Sequence, residues 1–414
     1  MNLINFKAKM EQRKKPLVVY FHRYSIEYES VQFPVARKLI DLILKKHEVL
    51  YFSMKTSEHV EEKLRKGIKI KEIPLKVNNK SGVDKWFKTF LYYILLPKTL
   101  FELKKQNPDF IICKETMPFI PYFIKFFKIP MLIDTSDWWW SILFGKNKYG
   151  RKLAGSIERF EVKKWDKPYV TVIAHTKAEA DLIAKKGFPI ERIKIINAPL
   201  YEGVYFPCNA EKQRKLLSLK KSDFVVAVHG IIHPSKGYGQ LLEWWKKLIS
   251  AHKNWKLVII GGSIGESWCR NKIKELNLSE NVIMTGWLPT QQDVNLYLNA
   301  VDSLLVIRRN SPENIGIVPS ALYHSLMLSK PVLATGLPGI SEIITDKENG
   351  FLYKPDSFES FKSSLEFINK NKKKSLEIAK KGVKRAKECF NPDKAIKKYL
   401  EVIERGIIEK KREK

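Results

Sequence analysis

The stretch FVVAVHGIIHPSKG, residues 224–237, decides the fold. A run of mostly apolar, β-branched residues ends in Val228-His229-Gly230, and a lysine and a glycine follow at Lys236-Gly237. Such a run is typical of a buried strand, and a glycine directly after it lets a ligand approach the backbone. We therefore predict a strand, a tight turn and the start of a helix, with a lysine placed where the helix already favours an anion.

The same pattern recurs along most of the chain. Short apolar runs alternate with longer amphipathic segments such as Gln32 to Lys46 and Lys177 to Lys186. Strands that alternate with helices favour a parallel sheet covered on both faces. The predicted strands form two sets: Leu17 to Phe21, Val49 to Phe52, Ile68 to Ile73, Phe110 to Cys113, Met131 to Asp134 and Val170 to Ala174; then Phe224 to His229, Lys256 to Ile260, Val282 to Thr285, Ser303 to Ile307, Pro331 to Ala334 and Gly350 to Tyr353.

Two sets of strands predict an α/β protein with two Rossmann-like, doubly wound domains facing across a cleft. We place the N-terminal domain at 1–200, a linker with little periodicity at 201–222 and the C-terminal domain at 223–390. Residues 391–414 read as a helix that can pack back on the N-terminal domain. Ligands of such sheets bind beyond the carboxyl ends of the strands, so the cleft is the expected site.

The charge of the chain points to an anionic partner. Its 414 residues include 75 Lys and Arg against 44 Asp and Glu, a net charge of +31. Nucleic acid, phosphate-bearing substrates and acidic lipid surfaces all fit this excess, as does a simple lysine-rich solvated surface. Zinc-ligand spacing, an aromatic RNA-binding signature and a dimeric basic helix are all missing, so we expect no nucleic acid partner.

Cysteine usage and hydropathy predict a cytoplasmic protein. The four cysteines lie far apart in sequence, which is typical of reduced thiols (Cys113, Cys208, Cys269 and Cys389). Met1 to Lys15 is charged and makes a poor signal peptide. Since no stretch reaches the roughly 18 apolar residues of a membrane span, we expect a soluble or peripheral protein.

Two further segments of the second domain look suited to bind anions. In residues 311–322, SPENIGIVPSAL, Pro319 is suited to be the first residue of a helix, whose opening N–H groups would come from Ser320 and Ala321. Gly336 to Glu342 repeats the order of strand end, glycine turn and helix start. Each turn alone is ordinary in α/β proteins, but three around one sheet favour a polyphosphate ligand.

These motifs resemble the donor domain of the retaining nucleotide-sugar glycosyltransferases of family four, which have the GT-B architecture. The resemblance runs from about Asp223 to Leu352 in good order and extends more loosely into the first domain. The segments that carry it are Gly230 with Lys236-Gly237, Gly261-Gly262, Thr285 to Pro289, Asp302, Pro319 to Ala334, Gly339 to Glu342 and Asn349-Gly350.

The resemblance implies transfer of a sugar from a nucleoside diphosphate donor to a glycan or lipid-linked acceptor, with retention of configuration and with no metal or other cofactor. Lys236 matches the lysine that neutralises the leaving diphosphate, so it is a catalytic candidate. Glu313 and His22 are the other two catalytic candidates. The implied donor-binding residues are Gly230, Ile231, Lys236, Gly262, Gly286, Trp287, Arg308, Val318, Ser320 and His324.

Some positions depart from the family pattern. Ile231 stands where the family usually has an arginine, which Arg308 or Arg309 could replace. The usual pair of glutamates is missing, and Glu313 could substitute for one of them. His324 stands where the ribose is usually contacted, although it could also be a helix histidine satisfied by its neighbours. These departures leave open a catalytically silent relative that acts as a scaffold subunit.

In the first domain, polar residues follow predicted strands one and five. His22 precedes Arg23 and Tyr24 and could position an acceptor hydroxyl or the donor phosphate; a surface histidine is the alternative. The segment Asp134 to Trp139 resembles an Asp-x-x-Asp-x-Trp element of some family members. It makes Asp134, Asp137 and Trp139 candidate acceptor-binding residues, with a helix cap at Asp137 as the alternative.

Three stretches mix aromatic residues with lysines. They are Trp86 to Leu103, Pro118 to Phe127, and Trp138 to Phe144 with Lys146 and Lys148 close by. Aromatic and basic residues together suit an interfacial surface on an anionic leaflet, whereas many of these aromatics could equally be core. We expect peripheral association with the inner face of a membrane.

Overall fold

A computed structural model describes residues 15–22, 26, 34–56, 66–77, 82–114, 118–134, 138–144, 147–200, 203–233, 236–263 and 265–412. The chain divides into two compact units. The first contains residues 1–174, 180–196 and 392–414, and the second contains residues 175–179 and 197–391.

The first unit is built on a parallel sheet of seven described strands in the order β3-β2-β1-β4-β5-β6-β7. The six strands predicted in this part of the chain are confirmed. The seventh, Ile193–Ile195, was not predicted because only one of its three residues is buried, which leaves no apolar run to find. The strands are β1 Leu17–His22, β2 Glu48–Thr56, β3 Lys69–Val77, β4 Phe110–Lys114, β5 Met131–Asp134, β6 Val170–Ala174 and β7 Ile193–Ile195.

Helices cover both faces of this sheet. The described helices that contribute to this unit are α1 Pro34–Lys46, α2 Gly82–Lys105, α3 Ile120–Ile124, α4 Trp139–Phe144, α5 Lys148–Trp165, α6 Lys177–Lys185 and α16 Pro392–Arg412. Apolar residues of α2, α3, α5 and α6 share one buried cluster with the sheet, whereas α1 and α16 bury theirs against its other face. None of the described helices is long and apolar enough to cross a membrane.

The C-terminal helix α16 is held to the first sheet by apolar packing and by one buried hydrogen bond. Ile396, Tyr399 and Ile403 lie on its buried face. The Tyr399 hydroxyl donates to Asp134 Oδ2 at 2.5 Å, and the Lys114 ammonium lies 3.7 Å from the same oxygen. Asp134, at the end of β5, therefore anchors a helix that lies more than 250 residues later in the chain.

The second unit has its own parallel sheet of six described strands in the order β10-β9-β8-β11-β12-β13. All six predicted strands of this part are confirmed, and with them the α/β fold of two doubly wound sheets. The strands are β8 Phe224–His229, β9 Trp255–Ile260, β10 Val282–Gly286, β11 Ser303–Val306, β12 Val332–Thr335 and β13 Phe351–Tyr353. The helices are α7 Glu211–Leu216, α8 Tyr238–Ala251, α9 Glu266–Glu275, α10 Gln291–Asn299, α11 Pro312–Ile315, α12 Ser320–Leu326, α13 Pro338–Ser341, α14 Phe358–Lys370 and α15 Lys372–Cys389.

Residues 203–222, which the sequence suggests as a linker, pack into the second unit. Tyr205 and Leu217 are buried in its core, and Arg214 donates to the carbonyl of Ala300 at 2.9 Å. These anchors are single apolar or charged residues separated by polar ones. They produce no helical or strand periodicity, so the pattern of the sequence alone does not reveal them.

The bond between Tyr399 and Asp134 gives a first prediction. Replacing Tyr399 with Phe removes a buried hydrogen bond to a carboxylate, which typically stabilises by about 1.5–3 kcal/mol. We expect the peptides of residues 392–412 to exchange their amide hydrogens at least about tenfold faster, as measured by mass spectrometry. Tyr149→Phe, at an exposed tyrosine of the same unit, is the control. Unchanged exchange in Tyr399→Phe would show that apolar packing alone holds the helix.

Candidate functional site

The carboxyl ends of β8, β9 and β10 meet around three glycines of the second unit. Gly230 and Gly261 have φ angles of +118° and +136°, and the Gly261 N–H donates to the carbonyl of Gly286 at 3.1 Å. A Cβ atom at Gly261 would lie 2.1 Å from the carbonyl oxygen of Gly230. Only glycine fits this crossing, so the three strand ends bring the predicted residues Gly230 and Gly286 together.

The neighbouring predicted residues lie at the same edge. The Ile232 N–H donates to the carbonyl of Gly262 at 3.0 Å, and a Cβ at Gly262 would lie 3.3 Å from the backbone nitrogen of Trp287. Ile231 and Trp287 are exposed large apolar residues here. An exposed indole and an exposed aliphatic side chain at a strand end offer an apolar platform for the flat ring of a ligand.

Basic residues from two strand ends come together beside Gly237. This glycine has a φ of +97° and directly precedes α8. A Cβ at Gly237 would lie 3.7 Å from the backbone nitrogen of Arg309 and 3.8 Å from the carbonyl carbon of Arg308. The backbones of Lys236-Gly237 and Arg308-Arg309 are therefore adjacent, which the sequence spacing of about 70 residues does not indicate.

The segment that starts α12 also reaches this edge of the sheet. Gly316 and Gly339 pack closely, since a Cβ at Gly339 would lie 2.6 Å from the carbonyl oxygen of Gly316. The structure corrects one detail: α12 begins at Ser320, and Pro319 precedes it with extended backbone at ψ 143°. Val318 is half-buried and Ser320 is exposed. The first N–H groups of the helix, from Ser320 onward, have no carbonyl partner inside it.

Glu313 carries an unsatisfied carboxylate oxygen. It lies in the short helix α11, and its Oε2 is buried without a hydrogen-bond donor among the described residues. A buried acceptor without a donor costs roughly 1–3 kcal/mol. A ligand hydroxyl that reached this oxygen would remove that cost.

A cluster of three aromatic rings lies behind the end of β8. The ring of His324 stacks on Tyr205 at 4.0 Å between centroids, and the His229 ring lies 5.9 Å from that of His324. Both ring nitrogens of His229 are buried without hydrogen-bond partners among the described residues. The His324 ring thus contacts neighbouring rings, as expected if it is a helix histidine satisfied by its neighbours. Its contact with a ribose remains a prediction.

Loss of solvation lowers the pKa of both histidines. Burial and, to a smaller extent, the positive charge of Arg308 together lower the pKa of His229 from 6.5 to about 4. Burial and the nearby His229 ring hold the pKa of His324 well below its usual range. Sequence reasoning missed His229, although the signal was present: it is the one polar residue of the strand FVVAVH.

Sequence reasoning also missed how Glu342 is used. Its two carboxylate oxygens accept from the backbone N–H groups of Lys177 and Ala178 at 2.8 and 2.7 Å, so it caps the start of α6. The Thr176 hydroxyl donates to the carbonyl of Gly316 at 2.6 Å. A negative charge is favourable at the first turn of a helix. No local pattern could show these pairs, since 140 or more residues separate their members.

In the first unit, three strand ends form a row of polar residues. His22, Lys114 and Asp134 are register partners on the adjacent strands β1, β4 and β5, so they lie side by side. His22 is only 1% exposed, which makes the alternative of a surface histidine wrong. Trp139 is the first residue of α4. Arg23, Tyr24 and Asp137 lie outside the described residues, as do Pro234 and Ser235 of the second unit.

The residues at the edge of the second sheet suit an anion better than a metal ion. Lys236, Arg308 and Arg309 supply positive charge, and the glycine turns leave the backbone accessible. Within the described ranges, no group of three or more His, Cys, Asp or Glu side chains could hold a metal ion. The arrangement can therefore bind a phosphate-bearing ligand through cations and backbone N–H groups.

The chain is similar to known proteins both in the second unit and in its fold. The family model "Glycosyl transferases group 1" matches residues 209–385, which include all the predicted donor-binding residues. The matched residues lie within the second unit. Among solved structures, HepE from Anabaena in complex with UDP-glucose superimposes with a TM-score of 0.70 over 94% of this chain and 99% of its own, at 16% identity. The chain has the two-domain α/β fold called GT-B.

The curated relatives match this chain over a shorter stretch than the solved structure does. An uncharacterized glycosyltransferase of Haemophilus influenzae is 23% identical over 231 residues, which are 56% of this chain and 59% of that protein. The capsular polysaccharide biosynthesis glycosyltransferase CapM of Staphylococcus aureus is 26% identical over 184 residues, 44% of this chain and 45% of its own length. The matches thus span about half the length of these relatives.

The glycine crossing gives a second prediction. Gly261→Ala places a methyl group 2.1 Å from a backbone oxygen at a φ of +136°, so the strand ends must separate. We expect the variant to lose at least about 2 kcal/mol of unfolding free energy. Gly155→Ala is the control, since no atom lies within 4 Å of its added carbon. In the middle of α5 it should stabilise by up to about 1 kcal/mol. Equal unfolding free energies of the two variants in urea would contradict the close contact between Gly261 and the carbonyl of Gly230.

The buried histidines give a third prediction. Because the folded state lowers the pKa of His229, the unfolded chain binds a proton below pH 6.5 that the folded chain does not. Stability is therefore full at neutral pH and falls as the pH drops from 6.5 toward 4. From pH 7 to pH 5 we expect His229 to account for a loss of about 2 kcal/mol in urea unfolding. His229→Leu should abolish that share, and the same loss in both proteins would refute the assignment.

Proposed function

We propose that this chain is a glycosyltransferase that moves a sugar from a nucleoside diphosphate sugar to a glycan or lipid-linked acceptor, with retention of anomeric configuration. The group 1 domain at residues 209–385 and the glycine-rich edge support a nucleotide-sugar donor. HepE supports the donor class, since it binds UDP-glucose, and CapM, named for capsular polysaccharide biosynthesis, supports a glycan acceptor. A hexose as the transferred sugar and a cytoplasmic location complete the proposal.

One observation carries this proposal: Lys236-Gly237 and Arg308-Arg309 are adjacent at the edge where the glycine turns expose the backbone. As the glycosidic bond from the anomeric carbon to the diphosphate oxygen breaks, negative charge grows on the leaving diphosphate. A fixed cation stabilises that charge more in the transition state than in the ground state. We assign this role to Lys236, assisted by Arg308 and by the backbone N–H groups at Ser320 and Ala321.

The remaining roles follow from where bonds form and break. The acceptor oxygen bonds to the anomeric carbon on the face that the diphosphate leaves, and the acceptor proton passes to a diphosphate oxygen. Glu313, with its unsatisfied buried oxygen, can accept a hydrogen bond from a hydroxyl of the transferred sugar. This bond would fix the orientation of the sugar. His22 would position the acceptor hydroxyl or the donor phosphate, and Asp134, Asp137 and Trp139 would bind the acceptor. No metal or other cofactor is needed in this scheme, because the cations come from the protein.

A second function is favoured by two observations. Ile231, exposed at the strand end, brings no charge, and His324 is stacked on Tyr205. A silent relative that binds a partner transferase would tolerate both features. Thermal-shift measurements with UDP- and GDP-sugars separate the two functions, because a binder gains stability by mass action. Indifference to every nucleotide sugar would favour the scaffold.

Replacing Lys236 with Ala gives the fourth prediction. The variant should lose its leaving-group cation and turn over donor about 100-fold or more slowly. The measurement is hydrolysis or transfer of a panel of nucleotide sugars, followed by mass spectrometry, with and without EDTA. Lys246→Ala is the control, since Lys246 is an exposed lysine of α8. Wild-type turnover in Lys236→Ala would remove this residue from the mechanism, and loss of turnover in EDTA would overturn the metal-independent scheme.

A further inference from the structure

Helix α2 of the first unit is apolar on both sides. Its inner face buries Tyr92, Leu96 and Leu103 against the sheet. Its opposite side exposes three large apolar residues with the spacing i, i+4 and i+11, which places them on one face of a helix. They are Phe90, Ile94 and Phe101, with 62%, 55% and 59% of their surface exposed. An ordinary surface helix would carry polar residues there.

Helix α5 repeats this arrangement. Its inner face buries Ala154, Glu158, Glu161, Val162 and Trp165. Its outer side again exposes large apolar residues at i, i+4 and i+11. They are Tyr149, Leu153 and Phe160, with 85%, 52% and 51% of their surface exposed. Two independent helices thus present the same outward apolar pattern.

The two helices cover the same face of the first sheet, and a short aromatic segment joins them. Val162 and Trp165 of α5 share one buried cluster with the inner residues of α2. The Tyr93 hydroxyl of α2 donates to the carbonyl of Pro118 at 2.8 Å, and the Phe119 N–H donates to Glu161 of α5 at 2.7 Å. Between the two helices, Phe126 is also exposed. The outer sides therefore belong to one surface, called here the outer helix surface: Phe90, Ile94, Phe101, Phe126, Tyr149, Leu153 and Phe160.

The exposed charges of α5 have one sign. Both acidic residues of α5 are buried, while every exposed charged residue of this helix is basic: Lys148, Arg151, Lys152, Arg159, Lys163 and Lys164. The ammonium groups of Lys105 and Lys164 lie 4.3 and 5.3 Å from the ring centres of Phe101 and Phe160. Basic groups and exposed aromatic rings are thus interleaved.

We propose that the outer helix surface docks on a lipid bilayer that contains anionic lipids. Apolar side chains that are exposed to solvent can enter the boundary between the lipid headgroups and the acyl chains. Lysines with long apolar stems can reach the phosphates of the headgroups. A second copy of the chain would bring the same basic residues face to face. A nucleic acid would use the basic residues and aromatic rings, but it would leave Ile94 and Leu153 without an apolar partner. A bilayer with anionic headgroups matches both the apolar and the charged part.

Vesicle binding by the full chain tests this proposal. The probes are vesicles of phosphatidylcholine alone and of an equimolar mixture with phosphatidylglycerol, with bound protein measured by co-sedimentation. We expect binding to the mixed vesicles that weakens with salt and little binding to the neutral ones. The variant Lys148→Gln, Lys152→Gln, Lys164→Gln should bind about 100-fold more weakly, since each basic residue near the surface contributes about fivefold. The variant Phe90→Ser, Ile94→Ser, Phe101→Ser should lose at least about tenfold.

Matched changes on the second unit serve as controls. Leu216→Ser with Leu376→Ser removes exposed apolar residues, and Lys372→Gln with Lys373→Gln and Lys387→Gln removes exposed lysines. Both controls should bind like the parent. Equal loss in controls and test variants, or absence of binding by the parent, would overturn the proposal. The variant Phe90→Ser, Ile94→Ser, Phe101→Ser would also overturn the proposal if its vesicle binding stayed the same. In that case a changed mass in sedimentation equilibrium, or changed binding to single-stranded DNA, would point to another partner.

The vesicle experiment does not depend on the proposed function. Donor binding belongs to the second unit and is measured separately by the thermal shift with nucleotide sugars. If the chain binds vesicles but no nucleotide sugar, the proposed docking surface is supported and the proposed enzymatic function is contradicted. If it binds nucleotide sugars but no vesicles, the enzymatic function is supported and the docking surface is contradicted.

Discussion

The second unit depends on one close backbone crossing. The N–H of Gly261 donates to Gly286 while the Cα of Gly261 passes so close to the carbonyl of Gly230 that no side chain fits between them. This crossing fixes the ends of three neighbouring strands relative to one another. It also leaves the backbone at the edge open, because glycines place no side chain over it. The cations of Lys236 and Arg308-Arg309 then supply the charge that an open backbone alone lacks.

Buried polar atoms without hydrogen-bond partners occur in the described parts of both units, and Glu313 and His229 of the candidate site carry some of them. Glu313 has a carboxylate oxygen without a donor, and His229 has two ring nitrogens without partners among the described residues. Folded proteins satisfy nearly all of their buried polar atoms, so each of these atoms carries a local cost that a hydrogen bond from a ligand would remove. In the first unit, Oδ2 of the buried Asp134 accepts from the Tyr399 hydroxyl and lies 3.7 Å from the Lys114 ammonium, so this carboxylate serves to hold the C-terminal helix.

The helices α2 and α5 show why composition alone is ambiguous about aromatic stretches. Within WFKTFLYYILLPKTLFEL, Tyr92 and Leu96 are core, whereas Phe90 and Ile94 are exposed on the opposite side of the same helix. The residue types are the same, and only the angle around the helix axis separates them. The sequence could therefore predict an aromatic and basic surface, but the division between core and surface needed the position of the sheet.

The sequence by itself determined the two parallel sheets, since buried strands in α/β proteins are runs of apolar residues that periodicity reveals without any partner. It also located the glycine turns and Lys236, because each is a local pattern of strand end and helix start. Only the tertiary structure decided which distant residues meet: Arg308 with Gly237, Glu342 with the start of α6, and Tyr399 with Asp134. Such pairs depend on the order in which strands assemble, and a single chain carries no local signal for a contact across 70 or more residues.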